Sequence, residues 1–119
     1  MRIFEFMNYK LILLAIKSAK RCADDIRSHA IGAVAIRQDG IIVKSRNLSS
    51  REKILDAHAE IRVLKKSGKG CVIYVARARN NSSIGLARPC GGCIQAMKYM
   101  KVEKCFYSIS DNEYGVIKF

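Results

Sequence analysis

Two short clusters hold most of the chemistry open to this chain: His58-Ala59-Glu60, and Pro89-Cys90-Gly91-Gly92-Cys93. Imidazole and thiolate are both zinc donors, and a catalytic zinc takes three protein ligands while one position stays open for water. His58, Cys90 and Cys93 supply three. In the first turn of a helix, Cys90 and Cys93 share one face, because residues three apart are neighbours there. The positive end of the helix dipole and the metal both favour thiolate over thiol. His58 and Glu60 are two apart and would not share a side face. In a first turn that objection weakens, because side chains lean toward the helix N-terminus and both can reach a point in front of it. Zinc lowers the pKa of a bound water from about 15.7 toward about 7, and a carboxylate beside it can carry the proton.

Plainer readings use the same residues. The Cys-x-x-Cys pair could belong to a closed structural zinc site with Cys71 or Cys105 as the fourth ligand, or could be a redox couple. His58 could be a surface histidine at a helix start, and Glu60 a first-turn acid that complements the dipole. A four-cysteine ribbon would want two Cys-x-x-Cys pairs, and this chain has one. His-x-Glu at one helix start and Pro-Cys-x-x-Cys at the next form a joint signal for a catalytic metal site.

The elements that must position these clusters follow from periodicity. Residues 8–22 repeat apolar positions at helical spacing through Leu11, Leu14, Ala15, Ser18 and Ala19, with Asn8 as the cap. Residues 31–36 are a short apolar run with β-branched members, which reads as a buried strand. Asp39-Gly40 separates it from the apolar run 41–43 and predicts an antiparallel hairpin. After a polar, basic loop over 47–55, Asp56 is expected to cap a helix over 57–66, with Gly68 beyond its end. A third strand is expected over 71–76, a long polar loop over 77–88, and a helix over 90–101 opened by Pro89. Strands over 104–109 and 115–119 complete the chain, with Asp111-Asn112 at the turn. Mixed helices and strands in one small chain predict a three-layer α/β/α sandwich around a mixed sheet.

His-x-Glu followed by Pro-Cys-x-x-Cys resembles the signature of the cytidine deaminase superfamily. The resemblance runs from about His29 to Phe119 and is specific at the two motifs. It implies the cytidine deaminase-like fold: a five-stranded mixed sheet with the two motif helices packed beneath it. It implies zinc at His58, Cys90 and Cys93. It also implies Glu60 as the catalytic proton carrier, taking a proton from water and passing protons to a ring nitrogen and to departing ammonia. Asn47 is similar to an asparagine that holds the substrate's sugar or base in such proteins. The backbone N–H of Ala59 and the carbonyl near Arg88 and Pro89 are similar to groups that read the base edge.

The chain departs from many such proteins in two places. The loop over 77–88 intervenes before Pro-Cys and carries Arg77, Arg79 and Arg88, which could bind phosphate or be a solvated excursion. Between the last two strands lies only 110–114, whereas a parallel crossover needs about a dozen residues. Those strands are therefore expected to be antiparallel, as in the branch acting on free cytidine and in compact viral and phage-type proteins. Superfamily members acting on tRNA, single-stranded DNA or deoxycytidylate usually insert a helix there.

Composition sets the remaining bounds. At 119 residues, half of them apolar, the chain is expected to be one domain over 1–119. Five cysteines, an odd number, argue against a disulfide framework. No apolar run is long enough to span a membrane. The apolar and basic start fails as a signal peptide, because Glu5 interrupts it and Lys17, Lys20 and Arg21 stand where small residues should be. The expectation is a cytoplasmic enzyme. The formal charge of +12 fits either a well-solvated surface or a polyanionic partner. There is no tryptophan for base stacking, and Tyr74, Tyr99, Phe106 and Tyr107 are expected in the core. The leading expectation is a zinc-dependent hydrolytic deaminase of a cytosine-type base in a free nucleoside or nucleotide, acting as a homo-oligomer. The alternatives are a deaminase of bases within tRNA or single-stranded DNA, and a zinc-holding relative that catalyses nothing.

Overall fold

The computed structural model describes residues 7–22, 30–48, 55–79, 81 and 83–119. His29, most of the loop expected over 47–55, and Asn80 and Ser82 of the later loop lie outside the described residues, as do the first six residues.

Helix α1 spans Tyr9–Cys22. Asn8 caps it, its side-chain carbonyl accepting from Lys10 N–H at 3.0 Å. Strands β1 (Ala30–Ile36) and β2 (Ile42–Arg46) form the expected antiparallel hairpin. Gly40 takes φ 88° in its turn, a conformation that favours glycine. Helix α2 spans Ala59–Ser67 and is followed by β3 at Val72–Ala78, the two-residue β4 at Ile84–Gly85, and α3 at Gly91–Tyr99. Strands β5 (Lys104–Ser108) and β6 (Tyr114–Lys118) close the order.

The sheet runs β2-β1-β3-β5-β6, with β4 pairing the end of β3. Among the described strands, β3 and β5 alone are parallel, joined by the crossover through α3. β5 and β6 are antiparallel, as their short connection requires. β4 was not expected. Arg77 and Ala78 extend β3 and pair with Gly85 and Ile84, so both ends of the expected loop belong to the sheet. Its turn is held locally, with Arg79 N–H on the Ser83 carbonyl at 2.9 Å.

Alternation along β3 fixes the layers, because successive side chains face opposite sides. Tyr74 and Ala76 face α1, packed with Leu11, Ile12, Ala15, Val34 and Phe106. Ile73 and Val75 face the other way, into a core shared with Val63 and Leu64 of α2 and Cys93 and Met97 of α3. The result is the expected three-layer α/β/α sandwich. Tyr74 and Phe106 stack at 5.0 Å between ring centroids, and Tyr74 Oη accepts from Asn8 N–H at 2.8 Å, which pins the start of α1 to the middle of the sheet. Tyr99 departs from expectation: it is 78 % exposed, because α3 buries only its Cys93–Met97 face. Among the described residues, no helix is long and apolar enough to cross a membrane.

α1 approaches the sheet most closely at Gly32. A Cβ there would collide with the backbone of Ala15 and Ala19 and with Ser18 Cβ. Gly32→Ala should therefore destabilise the fold by about 1–3 kcal/mol, the usual range for overpacking. Urea denaturation checks this through a lower midpoint at unchanged slope. An unchanged midpoint would mean that α1 does not pack this tightly.

Candidate active site

α2 and α3 each follow a strand, and their N-termini converge. His58 is the N-cap of α2 and Cys90 the N-cap of α3, both with extended backbone and neither making a side-chain capping bond. Each cap side chain is thus available to face forward rather than fold back onto its own helix. The expected helix start at Ala57 under an Asp56 cap is corrected here. Leu55–Ala57 forms a single 3-10 turn, with His58 N–H on the Leu55 carbonyl at 3.0 Å, and the helix proper begins after His58. Asp56 instead reaches Lys65 at 3.7 Å on the surface. The short turn carries the chain round so that a histidine, not an aspartate, occupies the cap.

His58 Nδ1 lies 3.4 Å from Cys93 Sγ and 3.7 Å from Cys90 Sγ. The three ligand atoms all fall within 4.8 Å of one another. Zinc–nitrogen and zinc–sulfur bonds set at a tetrahedral angle would separate N and S by about 3.6 Å, so the donor set fits zinc. Among the described residues, Cys71 and Cys105 do not join this group. They are buried elsewhere in the core, which removes the expected route to a closed four-ligand site through either of them.

Glu60 sits one residue into α2 and is 7 % exposed. Burial pushes its carboxyl above the ordinary carboxylate range, against the opposing pull of its own backbone N–H and of His58. Burial likewise pushes the Cys93 thiol far up, and the nearby Glu60 and Cys90 push it further. The buried acid and the buried Cys93 thiol, crowded together, resist ionisation for want of positive charge. A divalent cation among them reverses that balance and favours the anionic forms. The cluster is built for a metal, both in spacing and in charge.

These residues border a cleft of about 330 Å³. His58, Ala59, Glu60 and Cys90 form one side, and Asn47, Ile31, Arg77 and the 86–88 segment form the rest. Asn47 is buried, its side-chain carbonyl accepting from Ile31 N–H at 3.0 Å, which ties the end of β2 to the start of β1. Arg88 lies at the rim, donating to Tyr107 Oη at 3.1 Å with its guanidinium 5.6 Å from the ring centroid. Pro89 is buried and is not among the lining residues. Ile31, Leu86 and Ala87 were not singled out from the sequence. Nothing in an isolated apolar residue marks it as a cleft wall. The segment is held by Ala87 N–H on the Ser108 carbonyl at 2.9 Å, by Ser108 Oγ on the Gly85 carbonyl at 2.8 Å, and by Ile84 N–H on the Asp111 carboxylate at 2.8 Å.

Residues 7–109 match the model of a family described as the cytidine and deoxycytidylate deaminase zinc-binding region. A tRNA-specific adenosine deaminase of Aquifex aeolicus is 27 % identical over 110 residues, covering 86 % of this chain and 66 % of that protein. Among solved structures, guanine deaminase from Bacillus subtilis superposes with a TM-score of 0.66 at 20 % identity, covering 87 % of this chain and 65 % of its own. Cytidine deaminase from Burkholderia pseudomallei superposes with a TM-score of 0.61 at 18 % identity, covering 94 % and 93 %. The chain thus spans about two thirds of the first two and nearly all of the third.

Cys90→Ala should abolish stoichiometric zinc while leaving the fold intact, since Cys90 is exposed and packs into no core. Cys71→Ala and Cys105→Ala should keep it. Metal analysis of the three purified variants checks this. Full zinc in Cys90→Ala would point to a different ligand set.

Proposed function

Because the chain belongs to the cytidine and deoxycytidylate deaminase zinc-binding family, we propose that it is a hydrolytic deaminase of a cytosine-type base carried by a free nucleoside or nucleotide. His58, Cys90 and Cys93 hold the zinc. Bound zinc supplies Lewis acidity, which makes water a nucleophile near neutral pH. Glu60 moves the protons: it takes one from the attacking water, delivers it to the ring nitrogen, and assists the amino group as it leaves. A carboxyl pushed up by burial suits this, because it holds a proton more readily than an ordinary carboxylate and can pass it on. The Ala59 N–H and the carbonyl between Arg88 and Pro89 read the base edge. Asn47 steadies the sugar or base. Arg88, steered by Tyr107, faces a substrate phosphate at the rim.

The observation that carries the choice of a free substrate is the antiparallel β5–β6 hairpin. Its turn closes with Ile109 N–H on the Glu113 carbonyl at 2.8 Å, leaving no helix between the strands. The superfamily branch acting on free cytidine is similar in this respect. A cleft of about 330 Å³ also suits one small ligand. A second reading, deamination of a base within RNA or single-stranded DNA, is favoured by the charge of +12. The protein is proposed to work in the cytoplasm, where a reducing environment keeps Cys90 and Cys93 available as ligands. It is also proposed to work as a homo-oligomer, in which a second copy covers exposed apolar side chains such as Leu48 and Leu86.

Glu60→Gln should keep zinc and fold but lower turnover by about 10²–10⁴-fold, the usual worth of a positioned proton carrier. Metal content and ammonia release measured on the same preparation check this, and full activity in that variant would remove Glu60 from the mechanism. Ammonia release by the zinc-loaded protein should appear with cytidine, CMP or dCMP. Turnover confined to a cytosine-containing single strand would overturn the free-substrate reading in favour of the second.

A further inference from the structure

A second cavity, of about 240 Å³, opens at the edge of the sheet where α1, β2 and α2 meet. It shares no lining residue with the cleft. Arg21 of α1, Lys44 and Arg46 of β2, and Arg62 and Lys66 of α2 all line it. Ser18 and Ser45 complete the described lining, which contains no acidic residue. The described salt bridges, Arg37 with Asp39 and Lys65 with Asp56, engage none of these five cations.

The fold itself gathers them. Lys44 and Arg46 stand opposite Val34 and Gly32, on the face of the sheet beneath α1. The close approach of α1 at Gly32 brings Ser18 against that face. From the other layer, Lys66 Nζ donates to the Lys44 carbonyl at 2.7 Å, and the Arg62 guanidinium donates to the Arg46 carbonyl. Two of the cations are therefore fixed along the edge strand instead of waving in solvent. Five like charges around one small cavity repel each other, which disfavours the arrangement unless an anion joins them.

Ser45, between Lys44 and Arg46 and opposite Ala33, turns its side chain to the other face, so the cavity is walled mainly by cations. One anion rich in acceptor oxygens would answer the charges that no described acid compensates. A phosphate group has that chemistry, with up to two charges and three acceptor oxygens.

We propose that this cavity binds the phosphate group of an anionic ligand, at a site separate from the cleft. The phosphate belongs to a free nucleotide or to the backbone of a nucleic-acid strand. Both present the same chemistry, and they differ in how many phosphates engage.

The zinc-loaded full chain is titrated with pyrophosphate and, separately, with a short thymidine-only strand that offers no base to deaminate. Binding is followed by backbone amide NMR shifts and by affinity. At least one probe should shift the amides of Lys44 and Ser45. Affinity should fall about tenfold or more in Arg21→Gln/Lys44→Gln, with turnover in the cleft unchanged. Tighter binding of pyrophosphate assigns the site to a free nucleotide. Tighter binding of the strand assigns it to nucleic acid, and the double variant should then flatten the salt dependence by about 1.4 log units per log unit, at about 0.7 for each lost phosphate contact. Shifts confined to the cleft, or affinity unchanged in the double variant, would overturn the proposal. The wild-type shifts decide the question even if a variant fails to fold.

Discussion

The site depends on one electrostatic constraint: the buried carboxyl of Glu60 and the buried thiol of Cys93 lie together beside His58 and Cys90, and burial opposes a negative charge on either. Without a cation, burial favours the protonated forms of those two groups. A divalent ion is the compact way to favour the anionic forms together, and the spacing of His58, Cys90 and Cys93 matches zinc bond lengths. Both motif helices direct their positive N-termini at this point. They help hold thiolates and carboxylate, but a dipole end amounts to only about half a charge and falls off within a turn. The metal must supply most of the compensation.

The sandwich exists, in this sense, to aim two helix ends at each other. β1 and β3 are buried on both faces, so their register is fixed by packing on either side. α2 follows the edge strand β2, while α3 lies between the two parallel strands. Bonds from Ser108 and Asp111 stitch the 84–88 segment to the far end of β5 and its turn. That segment carries Arg88 and leads directly into Pro89 and Cys90. The hairpin at the end of the chain thereby helps set the position of a metal ligand far from it in sequence.

Charge is distributed between two places with different demands. At the cleft rim, Arg88 is held by Tyr107. At the sheet edge, Arg62 and Lys66 cover carbonyls of β2 that would otherwise be open to a foreign strand. Protection of the edge and the proposed anion site use the same side chains. A formal charge of +12 is therefore partly a property of architecture.

The sequence by itself picked out the two motifs, the order of the main helices and strands, and the antiparallel end of the sheet. Those features are local: motif spacing, period of hydrophobicity, and a connection too short for a crossover. It could not determine that His58 rather than Asp56 stands at the cap of α2, because Asp is the better capping type and only the packed 3-10 turn over Leu55–Ala57 moves the helix start past it. Nor could it reveal that Arg77 lies within β3, paired with Gly85, since a basic residue near Asn and Ser reads as loop until a partner strand is present. Tyr99 read as core from its type, yet α3 turns it outward. The walls of the cleft and the basic cavity at the sheet edge were likewise invisible, because each draws on segments distant in the chain. Only the tertiary fold brings such segments within reach of one ligand.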